Sequence, residues 1–351
     1  MEIALIADTH LGARNDNPHY SKYFYKFYDE IFFPYLEANH IKNVIHLGDV
    51  LDRRKFVNFK TLSDFNNKFV NPLINRGCNV DIIVGNHDTY YKNTNEINSP
   101  TELLNPLLFN IHKDPITTTI DDMRFLFLPW VNSSNIEQTT MMLEQESADM
   151  VLGHLEIKGF EMHNGHISTN GLEKKLFRRF ETVLSGHFHK KSDDGQIYYL
   201  GSPYEFNWAD HNCPKGFHIL DTETREIKHI RNPETIHEKI YYNDETNDYS
   251  NFDHSKYNDK FVKLIVEKKK DYFLFDKFLD GFYKTTVNDI KVVEDFSDLD
   301  ASTVADDIAE RSEDTPTLLD NYIEQLETDL DKDKLKVLMK SLYTEAGDIE
   351  I

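Results

Sequence analysis

Asp8 and His10, Asp49, Asn86 and His87, His154, and His187 and His189 are the side chains whose types and placement could do chemistry. Each group follows a short apolar run. Residues 3–7 lead into Asp8-Thr9-His10, 43–47 into Gly48-Asp49, 80–84 into Gly85-Asn86-His87-Asp88, 150–152 into Gly153-His154, and 182–185 into Gly186-His187-Phe188-His189. Taken singly, an Asp after a strand is usually a turn or cap residue, and a buried His is usually a hydrogen-bonded core residue. Gathered in one place, the same groups would carry a heavy desolvation and repulsion cost unless cations neutralised them. The donors are carboxylates, an amide and imidazoles, with no thiolate. That mix excludes a Cys-rich structural zinc site and favours ions of intermediate hardness such as manganese, with iron or zinc as alternatives. There are more donors than one ion needs. A carboxylate shared between two ions would make a clamp for in-line displacement at phosphorus.

The elements that must position these groups follow from the same runs. They are rich in β-branched residues and leucine and read as strands buried on both faces. Helix-like stretches over residues 20–39 and 59–76 lie between them, so the spacing predicts an α/β layer. In such sheets ligands gather beyond the carboxyl ends of the strands, and the polar clusters are therefore expected on one edge. The glycines that precede them fit tight turns. From about Phe261 the character changes: 261–266 reads as a strand, 273–283 as a helix and 290–293 as a strand, a small β-α-β unit. Residues 295–315 are acidic, hold few large apolar side chains and read as a linker ending at Pro316. Beyond it, Leu319, Tyr322, Ile323, Leu326 and Leu330, and then Leu335, Leu338 and Leu342, fall at helical spacing. Two short amphipathic helices there suit docking on a partner, with folding back on the body as the alternative. The expected divisions are 1–235, 236–296, 297–316 and 317–351.

Composition narrows the class. The chain has 351 residues, 39% hydrophobic and 28% charged, and a mean hydropathy of -0.57. That excludes a membrane protein, a collagen and a wholly disordered chain. No run approaches the length of a spanning helix, and because Met1 leads straight into a strand no signal peptide is expected. Cys78 and Cys213 form no Cys-x-x-Cys pair, so a reducing, cytoplasmic setting is expected. The formal net charge of -22 argues, taken alone, against nonspecific DNA binding. Bound cations or basic residues clustered on one face would overturn that argument.

Asp8-x-His10, Gly48-Asp49-x-x-Asp52, Gly85-Asn86-His87-Asp88, His154 and Gly186-His187-x-His189 resemble the calcineurin-like metallophosphoesterase signature in order and spacing. That signature spans protein phosphatases, cyclic-nucleotide phosphodiesterases, nucleotide hydrolases and DNA nucleases. Within it, three features resemble the SbcD-type double-strand-break repair nucleases. They are Tyr199-Leu200-Gly201-Ser202-Pro203 followed by Lys215-Gly216-Phe217-His218-Ile219-Leu220, the β-α-β unit, and the helices after the linker. Gly85-Asn86-His87-Asp88 with Ser99-Pro100-Thr101-Glu102-Leu103-Leu104 is most similar to the T-even-type phage branch of that family.

The resemblance implies a four-layer α/β/β/α sandwich, a small α+β capping domain facing DNA, and C-terminal helices that bind an SbcC-type, SMC-like ATPase. It implies two divalent ions, Mn2+ foremost and Mg2+, Fe2+ or Zn2+ as alternatives. Asp8, His10, Asp49 and His189 would hold the first and Asp49, Asn86, His154 and His187 the second. His87 would protonate the leaving oxygen as general acid, and Asp52 would hydrogen-bond His87 and orient it. The activity implied is hydrolysis of DNA phosphodiesters in recombination and repair, by a homodimer in the cytoplasm (the host's, if phage-encoded). The alternative on the same signature is a phosphatase or phosphodiesterase acting on small phosphoesters or phosphoproteins. Arg53 and Arg54 beside the second motif, and Lys190 and Lys191 after His189, are candidates for DNA phosphate contacts, or equally an ordinary solvated surface. His46, His112, His163, His166, His211, His218 and His229 match no part of the signature and are expected to be structural or on the surface.

Overall fold

The computed structural model describes residues 1–163, 166–294, 323 and 331–347. The apolar runs become strands covered on both faces. In β1 (Glu2–Ile6), Ile3, Ala4, Leu5 and Ile6 are all buried. A first sheet joins β1 to β2 (Asn43–His46), β3 (Asn79–Ile83) and β4 (Phe109–His112), all parallel. β13 (Gly216–Asp221) and β14 (Ile227–Arg231) extend it antiparallel, giving the order β14-β13-β1-β2-β3-β4. A second sheet comprises β5 (Ile116–Ile120), β6 (Met123–Leu128), β7 (Met150–His154), β10 (Thr182–Gly186), β11 (Ser192–Asp193) and β12 (Ile197–Tyr199), in the order β11-β12-β10-β7-β6-β5. Between β7 and β10, β8 (Glu161–His163) and β9 (His166–Ile167) pair as a hairpin.

Alternation of side chains along the strands sets the layers. Ile3, Leu5, Ile45, Leu47 and Ile83 of the first sheet meet Phe125, Phe127, Leu152 and Leu184 of the second in one core. The outer face of the first sheet is covered by helices: Phe27 and Phe32 pack on Phe217 with ring centroids 6.1 and 5.0 Å away. The outer face of the second sheet buries Leu126, Leu128, Val151 and Val183 against Leu143 of the helix Ile136–Gln145. The arrangement is the α/β/β/α sandwich that the sequence leads one to expect.

Two helices depart from regular geometry for one reason. The stretches at 18–38 and 59–75 each contain a π turn, Tyr28–Phe32 and Asn66–Val70, in which Phe33 N–H reaches Tyr28 O and Asn71 N–H reaches Asn66 O. Pro34 and Pro72 follow at once. Proline lacks the N–H and its ring presses on the carbonyl four residues back, and the wider turn accommodates both effects.

The chain forms two compact units, one of Met1–Phe206 with Asp210–Ile236, the other of Asn207–Ala209 with the chain from His237 onward. In the second unit, β15 (His237–Asn243), β16 (Phe261–Lys268) and β17 (Asp289–Val293) run parallel. The helix Tyr272–Tyr283 links β16 to β17, started by Asp271, whose carboxylate accepts from Phe273 N–H and Leu274 N–H. Phe275, Phe278 and Phe282 of that helix join Tyr242, Val262 and Leu264 in the unit's own core. The expected linker at 297–316 and the helical spacing of 319–330, apart from Ile323, lie outside the described residues. A helix, Lys332–Gly347, carries Leu335, Leu338 and Leu342. Among the described residues no helix is long and apolar enough to cross a membrane.

Candidate metal centre

The polar clusters sit in the turns that follow β1, β2, β3, β7 and β10. Asp8 (φ 53°), His10 (φ 39°), Asp49 (φ 58°) and His187 (φ 89°) all have left-handed backbone, which is costly for residues with a Cβ and concentrates at functional sites. The turns brace one another: Asp8 N–H donates to Gly48 O at 3.0 Å, and Thr9 N–H and His10 N–H both reach Asp49 O. Two glycines are needed where chains approach. A Cβ at Gly48 would stand 2.5 Å from His154 Nδ1, and one at Gly85 would stand 2.2 Å from Asp49 Oδ1.

All seven expected ligands come together. His10 Nε2 and His189 Nε2 face each other at 3.1 Å. Asp8 belongs to the same cluster, its Oδ1 accepting from His187 N–H at 2.9 Å. Asn86 Oδ1 lies 2.8 Å from His154 Nε2 and 3.0 Å from His187 Nδ1. Between the two sets lies Asp49, with Oδ2 3.5 Å from His10 Nε2 and 3.3 Å from His154 Nε2, while Oδ1 accepts from His87 N–H at 2.8 Å. Three groups bring their ligand atoms within 4.8 Å of one another: Asp8, His10 and His189; His10, Asp49 and His87; and Asp49, His154 and His187.

Divalent cations fit this donor set. Asp8 Oδ2 is buried with no hydrogen-bond partner, an expensive arrangement for a carboxylate oxygen that a cation would relieve. His154 donates Nδ1–H to Leu47 O at 2.8 Å, which fixes its tautomer and turns Nε2 inward as a ligand atom. The titration behaviour reflects the crowding of charge. Burial lowers the pKa of His154, but Asp49 and Asp8 outweigh it and lift the pKa to about 9. Burial opposes ionisation of Asp49, yet His154 and His87 hold its carboxyl well below the usual range. Burial and neighbouring His154 push His187 well down.

Asp52 requires a correction. Its carboxylate was expected to orient His87, but His87 Nδ1 meets the main-chain carbonyl of Asp52, at 2.6 Å. The carboxylate lies 3.5 Å from His10 Nδ1 instead. Because a carbonyl only accepts, His87 carries its proton on Nδ1 and presents Nε2 as the exchanging nitrogen.

Sequence reasoning missed Asp88 and Trp130, and read His46 only as structural or on the surface. Asp88 is fully buried and its carboxylate accepts from Asp49 N–H (2.8 Å), Gly85 N–H (2.9 Å) and Val50 N–H (2.9 Å). It stands within the third motif, where its type alone suggests no role. His46 is buried, with Nε2 3.0 Å from Thr9 Oγ1 and Nδ1 3.2 Å from Gly48 N–H, so it ties the first turn to the second. Its place at the end of a buried apolar strand was the available signal. Trp130 lies with its ring 5.1 Å from that of His187.

The basic candidates are largely engaged within the chain. Arg53 pairs with Asp16 at 2.9 Å, Arg54 donates to Thr89 O and Thr89 Oγ1, and Lys190 pairs with Glu161 at 2.6 Å. Lys191 is exposed.

Comparison with known proteins adds a family and relatives. Residues 1–191 match the calcineurin-like phosphoesterase family. The chain is 32% identical over 317 residues to "Exonuclease subunit 1" of Enterobacteria phage T4, covering 89% of this chain and 90% of that protein. It is 26% identical over 99 residues to the SbcD component of the SbcCD nuclease of Staphylococcus epidermidis, covering 26% of each. Among solved structures, an archaeal phosphodiesterase matches with a TM-score of 0.35 and 18% identity, over 66% of this chain and 99% of that one.

Proposed function

This chain belongs to the calcineurin-like phosphoesterase family, and from that premise we propose that it is a metal-dependent DNA nuclease, one subunit of a recombination and repair complex. The observation that carries the two-ion reading is the position of Asp49 Oδ2, within 3.5 Å of an imidazole nitrogen from each side, His10 and His154. The DNA substrate rests on the phage T4 relative, an exonuclease subunit alike over nearly its whole length.

In this reading Asp8, His10, Asp49 and His189 hold one divalent ion and Asp49, Asn86, His154 and His187 the other, with Mn2+ as the working metal. The bound pair supplies Lewis acidity at the phosphoryl oxygens and acidifies water. The chain supplies the rest. Asp88 fixes the turn that presents Asp49. His87 hands its Nε2 proton to the departing oxygen. In the chain without bound ions, burial lowers the pKa of His87, but the carboxylates of Asp49 and Asp52 more than offset it and the pKa is raised.

The remaining parts of the reading concern assembly. Residues 236–296 form a DNA-facing cap, 297–316 a linker, and 317–351 the segment that docks an SbcC-type ATPase, with the whole working as a homodimer in the cytoplasm. The test is digestion of linear duplex DNA with Mn2+ by wild type, His87→Ala and Asp8→Ala, with and without a co-expressed ATPase. Both variants are expected to lose activity at least about a hundredfold. Undiminished digestion by both would overturn the assignment of the site.

A further inference from the structure

The segment Tyr199-Leu200-Gly201-Ser202-Pro203 and the lysine that follows it at 215 have no place in the chemistry so far. Lys215 is only 3% exposed, which is rare for lysine. Its ammonium donates to His189 O at 2.9 Å, to Ser202 Oγ at 2.8 Å and to the Asp210 carboxylate, one acceptor for each N–H. Ser202 N–H also reaches His189 O, at 3.1 Å. The second Asp210 oxygen accepts from Phe206 N–H at 2.8 Å. The Phe206 ring then packs against both imidazoles of one cluster, 5.2 Å from His10 and 5.0 Å from His189.

A buried cation thus ties the main chain of His189 to the ring that backs His10 and His189 together. Neither Lys215 nor Phe206 contacts the other cluster in the contacts described: His154 is held by Leu47 O, and His187 N–H donates to Asp8 Oδ1. We infer that Lys215 is a positioning residue for the Asp8, His10 and His189 pocket, holding His10 and His189 at the separation that admits one divalent cation. The inference rests on the reading of those residues as ligands. It assigns the Ser202 segment and Lys215 a function that reaches the centre through the backbone of His189 and the Phe206 ring.

The test is Mn2+ binding by the full-length chain, read by titration calorimetry and by electron paramagnetic resonance. Lys215→Met removes the three donors but leaves the buried Asp210 carboxylate without its neighbouring cation, which endangers folding. The double variant Lys215→Met/Asp210→Asn removes that charge as well and keeps the test decisive. Wild type is expected to bind two spin-coupled Mn2+ ions. The double variant should keep one site at wild-type affinity and lose affinity at the other by about 10–100-fold, so that at limiting Mn2+ its spectrum is that of a single uncoupled ion. Two coupled ions at wild-type affinity in the double variant would overturn the inference. So would equal weakening of both sites, since that marks general damage. A wild type that binds fewer than two ions would remove the ligand reading itself, and this inference with it.

Discussion

Asp88 offers the sharpest test of how the centre is built. Its carboxylate is fully buried and accepts three main-chain N–H groups, those of Asp49, Val50 and Gly85, all within 2.9 Å. Asp88→Ala would leave all three without an acceptor and without water. Each orphaned buried donor costs about 1–3 kcal/mol, so the expected loss is about 3–9 kcal/mol, against a total stability of about 5–15 kcal/mol for a folded domain. One effect works in the opposite direction: burial, and then the charge of nearby Asp49, raise the pKa of Asp88, so removing its charge relieves some strain. Asp88→Asn separates the two. An amide oxygen in the place of Oδ2 still serves Asp49 and Gly85, and only Val50 N–H then meets an NH2 group, for about 1–3 kcal/mol. Urea unfolding at neutral pH without added metal measures both. Asn is expected to cost well under half of what Ala costs. Equal losses for the two would refute the view that main-chain acceptors, rather than volume or charge, are what Asp88 provides.

Asp52→Asn keeps the carbonyl that holds His87 Nδ1, so the maximal rate should fall less than about tenfold, against the hundredfold or more expected for His87→Ala. Because the Asp52 carboxylate helps to raise the His87 pKa, the alkaline limb of the rate profile should move to lower pH in Asp52→Asn; an unmoved limb would contradict the role of His87 as acid. His218, pushed down to about 3 by burial and then by His229, stays neutral in the fold while the unfolded chain protonates near 6.5. Its stability contribution is therefore complete above pH 6.5 and is lost at about 1.4 kcal/mol per pH unit as pH falls towards 3. His218→Leu should flatten the acid side of the stability curve by that slope, and an unchanged slope in thermal melts would count against it. Finally, with Arg53 and Lys190 in ion pairs and Arg54 on Thr89, three of the four candidate phosphate contacts are engaged within the chain. Filter binding of DNA to the isolated chain should give a log–log salt slope shallower than about -2, and a slope steeper than about -4 would show phosphate contacts that these pairs conceal.

What the sequence made legible was the part of the centre carried by side chains directly after buried strands. Asp8, Asp49, His154 and His187 each follow or close an apolar run, and parallel pairing of β1 with β2 and of β7 with β10 brings their turns to the same edge of each sheet. What stayed hidden was carried by the main chain. The tautomers of His154 and His87 are set by the carbonyls of Leu47 and Asp52, groups that every residue possesses and no motif can advertise. A sequence pairing of Asp52 with His87 looked natural because a carboxylate is the partner that residue types suggest. The turn places the carbonyl there and swings the carboxylate to His10. Asp88 was unreadable for the complementary reason: its acceptors serve backbone N–H groups 38 and 39 positions away, at Val50 and Asp49, a relation with no counterpart in side-chain spacing. The two kinds of support also differ in what they demand of the chain. A ligand must keep its chemical type, whereas a carbonyl must only keep its place, and that place is held by glycines such as Gly48 and Gly85, where no Cβ fits. Substitutions that preserve every donor can therefore still disable the centre by moving a turn.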